Sequence, residues 1–200
     1  MRRMFIAVAL LAAALALPAG AGAGAGSSIT LRLGDGFAVK KSHMLCAVQI
    51  SHTLVPGQKL VACYFFGPKG VPLAKTYTVA LAVNGEVGLG RVGKDGKLEV
   101  VMTRGGGSAP APPGKERKGT LHQVGLGTAV LVKGTAITCA VSTQKFGGEP
   151  ARTVACFKVN RQKKPRPNSW GFGITDGGAF LVHFDKNSKG SPVKVVQHGK

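Results

Sequence analysis

Four cysteines constrain this chain more than anything else in it, because they form one pattern written twice. Leu45-Cys46-Ala47-Val48 is followed by Leu60-Val61-Ala62-Cys63-Tyr64, and Thr138-Cys139-Ala140-Val141 by Thr153-Val154-Ala155-Cys156-Phe157. Each pair is 17 residues apart, and the second pair lies 93 residues after the first. In an antiparallel hairpin, facing residues share a constant sum of residue numbers. For Cys46 and Cys63 that sum is 109, the same as for Ser51 and Gln58, which end the Pro/Gly-containing stretch between the two apolar runs. The second copy obeys the same arithmetic, with Phe146-Gly147-Gly148-Glu149-Pro150 at its turn.

Facing Cα atoms in a strand pair sit about 4.5–5.5 Å apart, within disulfide reach. The pattern therefore predicts Cys46–Cys63 and Cys139–Cys156 bridges, each contributing about 3 kcal/mol by closing its loop. The competing connectivity joins the copies through Cys46–Cys139 and Cys63–Cys156. A complete pair within each copy argues against it. A metal site is the other alternative, since His43 stands three residues before Cys46. Zinc sites show tight Cys-x-x-Cys spacings, and none occurs here. No metal and no cofactor is expected.

The amino terminus explains where such bridges would form. Arg2 and Arg3 precede an apolar run, Met4–Leu17, that is short for a membrane span. Small-residue cleavage motifs follow at Ala19-Gly20-Ala21, Ala21-Gly22-Ala23 and Ala23-Gly24-Ala25. Residues 1–25 read as a signal peptide, with an ordinary secretory signal preferred to a twin-arginine one. A secreted or extracytoplasmic location, in periplasm or cell envelope, is expected, with no transmembrane anchor after cleavage.

The remaining chain divides into a first unit (27–103), a Gly/Pro-rich linker (104–119) and a second unit (120–200). Ile29, Leu31 and Leu33 alternate with polar residues, as in a half-buried strand. Phe37–Val39, the cysteine hairpin, a strand through Tyr77, Val79, Leu81 and Val83, its return through Val87 and Leu89, and Leu98–Met102 complete about seven strands. Asn84-Gly85 is a type I′ hairpin signal, and Asp95-Gly96 marks another turn. No stretch reads as a helix. The second unit repeats the order: Trp170 falls on Tyr77, and Asp176-Gly177 stands for Asn84-Gly85. The expected fold is all-β, two tandem small sandwich or barrel units, each with one cross-strand disulfide. A unit of this size has a thin core, which is where a disulfide matters most.

Charge narrows the function. The chain carries a formal +19, distributed most heavily over the second unit. Lys158, Arg161, Lys163, Lys164 and Arg166 cluster between the second cysteine strand and the Trp170 strand, a candidate polyanion-binding loop. Its partners outside the cell would be anionic wall polymers, acidic glycans, lipid head groups or extracellular nucleic acid; mere solubilisation is the plain alternative. No aromatic residue interleaves with these cations, so no specific nucleic-acid reading follows. Tyr64-Phe65-Phe66 reads as a strand covered on both sides, and Trp170 as a core residue.

Catalytic patterns are scarce. Asp35, Asp95 and Asp176 belong to turns, Glu116 to the linker and Glu149 to a hairpin tip, which leaves few carboxylates to pair. The histidines show neither metal-ligand spacing nor a neighbouring nucleophile motif. His183 and Asp185 share one strand face, opposite Phe180 and Phe184, as a surface pair. Gly88-Leu89-Gly90-Arg91-Val92-Gly93 fits G-x-G-x-x-G, but inside a hairpin it cannot open a phosphate-binding helix. The reading is a non-enzymatic binding or structural protein that contacts anionic envelope or extracellular polymers. The alternative is a secreted enzyme inhibitor, or an enzyme whose active loop leaves no sequence mark.

Overall fold

The computed structural model describes residues 26–52, 57–67, 70–107, 118–146, 149–186 and 194–199. The expected signal peptide and most of the expected linker (108–117) lie outside the described residues.

The chain is all-β. Seven strands precede the linker region: β1 (Ser28–Leu31), β2 (Gly36–Val39), β3 (Met44–Ile50), β4 (Lys59–Phe65), β5 (Tyr77–Ala82), β6 (Val87–Val92) and β7 (Leu98–Arg104). Seven follow it: β8 (Leu121–Val124), β9 (Ala129–Val132), β10 (Ile137–Phe146), β11 (Glu149–Lys158), β12 (Ser169–Thr175), β13 (Gly178–Phe184) and β14 (Lys194–Gly199). Both cysteine hairpins have the register that the residue sums require, with Cys46 facing Cys63 and Cys139 facing Cys156. Both bridges are formed and fully buried, and their Cα atoms lie 4.0 Å apart.

Neither half closes a sandwich by itself, which corrects the expectation of separate sandwich or barrel units. One sheet runs β7-β6-β5-β4-β3-β2-β8, the other β1-β9-β10-β11-β12-β13-β14. Each half thus contributes six strands to its own sheet and gives its first strand to the other. β1 runs parallel to β9 with Ser28 facing Ala129, and β8 parallel to β2 with Leu121 facing Gly36. Adding 93 to Ser28 and Gly36 gives Leu121 and Ala129, so the two exchanges are images of each other. The physical reason is area: a single sheet with one apolar face must bury that face, and each half finds its cover in the other. One core results, with Leu31, Phe37, Val48, Val61, Val79 and Leu81 meeting Val130, Val141, Val154, Phe172, Ile174 and Leu181.

Polar contacts fasten the exchange at matching points. Lys40 N–H donates to Val124 O and Lys133 N–H to Leu31 O, both at 2.8 Å. Asp35 accepts the Thr120 N–H at 3.0 Å through Oδ1 and the Arg32 N–H at 2.8 Å through Oδ2. The image residues Ser27 and Thr128 join hydroxyl to hydroxyl at 3.0 Å. Lys59 Nζ donates to Lys133 O at 3.0 Å, and its image Arg152 donates to the carbonyls of Lys40 and Lys41. Two cations that a charge count would assign to the surface therefore close the ends of the sandwich.

The first half's β5–β6 turn differs from the type I′ expectation. Gly85 lies at φ 93°, whereas Asn84 does not have positive φ; Gly85 N–H donates to Ala82 O and Asn84 Oδ1 accepts the Glu86 N–H. This is a three-residue hairpin loop with glycine in the left-handed position. In the second half Thr175 faces Gly178 directly, a loop one residue shorter. Beyond it the correspondence between halves shifts from 93 to 92, and Gly88 and Gly90 correspond to Phe180 and Val182.

Candidate functional site

The cationic loop joins β11 to β12 and has an ordered backbone. Asn160 N–H donates to Lys164 O, Lys163 N–H to Asn160 O, and Arg166 N–H to Lys158 O. Asn160 Oδ1 also accepts the N–H groups of Gln162 (2.9 Å) and Lys164 (3.1 Å). Lys163 sits at φ 60°, and Val159 bridges to Pro165. Arg161, Lys163, Lys164 and Arg166 are exposed on this scaffold.

Lys158 does not join them. It is half-buried, and its Nζ donates to Val83 O of the first half at 2.9 Å. Burial, with the Arg166 charge adding to it, holds its ammonium below the usual lysine range. The five sequence candidates thus divide into four exposed cations and one that ties the halves together.

The first half carries the same loop in different chemistry. Between β4 and β5, Gly67 N–H donates to Val71 O, Gly70 N–H to Gly67 O, and Leu73 N–H to Phe65 O. Phe66 bridges to Pro72, and Gly70 has φ 71°. Each of these bonds is the image of one in the cationic loop. Yet Val71 and Leu73, exposed at 58% and 37%, stand where the second half has Lys164 and Arg166.

The outer faces of the sheets differ as well. On the second half, Phe157, Phe180, Val182 and Phe184 form a buried cluster away from the core. They need glycine beneath them: a Cβ on Gly173 would meet the Phe180 ring at 2.1 Å, and one on Gly171 would meet Phe184 at 3.3 Å. So in β13 the phenylalanines cover the outside while Ala179 and Leu181 face the core.

On the first half the corresponding surface is built from Leu60, Ala62, Ala80 and Ala82, with Leu98 of β7 packed against them. A cavity of about 340 Å³ remains there. Its floor includes Leu60, Ala62, Ala80 and Leu98, and its polar lining includes Gln49, Ser51, His52, Tyr64 and Thr78. Thr78 Oγ1 already donates to Cys63 O at 3.0 Å. Tyr64, half-buried on this face, has its phenol pushed to higher pKa by burial. Sequence reasoning missed this cavity. The signal was present in the pairing of Gly88 and Gly90 with Phe180 and Val182, visible only once the shorter turn shifts the alignment.

The other singled-out residues scatter. Phe65 is in the core and Phe66 meets His43 edge-on, with ring centroids 6.2 Å apart. Trp170 is partly buried against the core, its ring centroid 4.9 Å from that of His183. His183 is half-buried beside that indole. Gly88 to Val92 lie within β6, where no helix follows. Among the described residues, no group of three or more His, Cys, Asp or Glu side chains could hold a metal, and no helix is long and apolar enough to cross a membrane.

No family model and no curated protein matches the chain. A solved structure of a protein from Lactobacillus plantarum is similar over 84% of this chain and 55% of its own length, at 10% identity and a TM-score of 0.23.

Proposed function

We propose that this chain is a secreted or extracytoplasmic, non-enzymatic binding protein that contacts anionic polymers of the envelope or surroundings through its β11–β12 loop. We further infer that its halves arose by tandem duplication of one β module, whose copies then took different surfaces. The observation that carries the reading is the pair of matching loops. A shared backbone, hydrogen bond for hydrogen bond, displays apolar Val71 and Leu73 in one half and Lys164 and Arg166 in the other. An ordered loop spends little entropy in presenting its cations, and cations on a strongly basic chain concentrate polyanions. Two buried disulfides suit an oxidising compartment.

The test is retention on a sulfated-polysaccharide or polyphosphate resin across a salt series. The variant Arg161→Ser/Lys163→Gly/Lys164→Val/Arg166→Leu should elute at clearly lower salt and lose most of the salt dependence of binding. Lys158→Met keeps the exposed charges and should elute near the parent. Equal elution of the four-site variant and the parent would end the reading.

A further inference from the structure

We propose that the β4–β5 loop is a membrane-contacting tip, its Val71 and Leu73 entering the interface of an anionic lipid bilayer while the lysines beside it meet the headgroups. Three connections of the first half emerge at one end of its sheet: β2–β3 (residues 40–43), β4–β5 (66–76) and β6–β7 (93–97). Hydrogen bonds hold them side by side, Phe66 N–H donating to His43 O at 2.9 Å and Lys75 N–H to Val92 O at 2.7 Å. The β4–β5 connection is the longest of the three, and it turns back on itself where Phe66 bridges to Pro72. Val71, Pro72, Leu73 and Ala74 are all exposed on its returning arm. The backbone does not require those apolar side chains. The image loop makes the same bonds with Lys164 and Arg166 in the two places. Exposure of Val71 at 58% and Leu73 at 37% is therefore not a cost of building the loop.

Charge selects the occupant. Lys40, Lys41, Lys75, Lys94 and Lys97 are exposed on the same three connections, and Arg152 of the second half brings its guanidinium to the carbonyls of Lys40 and Lys41. Asp95 is the one acid among their described residues, and Lys97 pairs with it at 3.4 Å. An apolar tip among cations matches an anionic bilayer surface, where burial of the tip and attraction to the headgroups act together. The polyanion loop lies elsewhere: Lys158 at its start reaches Val83 O, beyond the other end of β5. This proposal therefore does not depend on the polymer-binding one.

Vesicles of phosphatidylcholine with about 30 mol% phosphatidylglycerol are the probe, compared by co-sedimentation with pure phosphatidylcholine vesicles. The parent should partition at least about tenfold more strongly into the anionic vesicles. Val71→Lys/Leu73→Arg copies the other half's loop and adds two positive charges. Diffuse attraction alone would tighten its binding, whereas loss of insertion should weaken it by about fivefold or more. Val71→Ser/Leu73→Ser leaves the charge unchanged and should weaken binding by a similar factor, which keeps the test decisive should the first variant fold poorly. Lys75→Ser/Lys94→Ser should cost about tenfold on the anionic vesicles and nothing on the zwitterionic ones. In bicelles carrying spin-labelled lipid, amide broadening should include residues 70–76 whether or not 161–166 respond. Equal or tighter binding of the folded charge-adding variant, no loss in the Ser variant or the lysine variant, broadening confined to 161–166, or self-association through Val71 and Leu73 with vesicle binding untouched would each overturn the proposal.

Discussion

The two halves share one backbone plan and differ in what covers it, and the contrast is sharpest on their outer faces. In the second half phenyl rings lie on glycines and the face is sealed. In the first, alanines and glycines occupy the same ladder positions and a hollow remains. A sealed face contributes buried area to stability, whereas a hollow one gives up that area and gains a concave surface. The comparison breaks most directly by removing the seal. Phe180→Ala should destabilise the chain by about 3–4 kcal/mol in denaturant unfolding, since it deletes a buried ring and leaves a cavity. Leu98→Ala, on the half-covered face, should cost about 1–2 kcal/mol, because its side chain is only partly buried. Equal costs would mean that both faces are equally packed.

The next largest effect tests where the halves are the same. Each disulfide pins one hairpin, but both hairpins line a common core. Replacing Cys46 and Cys63 by Ala, or Cys139 and Cys156, should lower stability by about 3 kcal/mol in either case. Both variants should unfold in one transition, because neither sheet has another apolar face to rest against. Two separated transitions would show that the halves fold as independent units.

Much of this fold was legible because local rules dictated it. The cysteine sums fixed the hairpin registers, period-two alternation placed the strands of the first half, and the basic loop was visible as a charge cluster. The strand exchange was not legible. Ile29, Leu31 and Leu33 alternate identically whether their strand pairs within its own half or with the other, since periodicity reports burial and not the neighbour. Lys158 misled for a related reason: sequence gives charge, but not the carbonyl, here Val83 O, that takes the hydrogen bond. The outer-face hollow was hidden by a single-residue difference between two turns.

Asp35 offers a smaller test at the exchange point. Two backbone N–H groups, from Thr120 first and Arg32 second, hold its carboxyl below the ordinary aspartate range. A carboxylate with a lowered folded pKa adds stability above its unfolded pKa of about 4 and loses it as pH falls through the folded value. Its image in the other half is Thr128, whose hydroxyl meets Ser27 without titrating. Asp35→Thr should therefore cost less than about 1 kcal/mol at neutral pH, the site being solvent-exposed. It should also flatten the stability profile between about pH 5 and pH 2. An unchanged acid limb would show that Asp35 is not what couples the first turn to β8.

The smallest effect concerns backbone strain that one half carries and the other avoids. Lys41, at φ 58°, ends the β2–β3 turn, and its image Gly134 holds φ 74°. Both turns are otherwise alike: Ser42 Oγ donates to Val39 O and accepts the Met44 N–H, as Thr135 Oγ1 does with Val132 O and the Ile137 N–H. A left-handed conformation costs a β-carbon-bearing residue about 1–2 kcal/mol, of which glycine's larger unfolded-state freedom returns a part. Lys41→Gly should then raise stability by about 0.5 kcal/mol, and Gly134→Lys should lower it by a similar amount. The Lys41 carbonyl that accepts from Arg152 is kept in the first variant, so the hydrogen bonds between the halves stay constant. If Lys41→Gly is neutral while Gly134→Lys destabilises, the first half has compensated its strain through the Arg152 contact. The double variant Lys41→Gly/Arg152→Ala then measures that coupling as a departure from additivity.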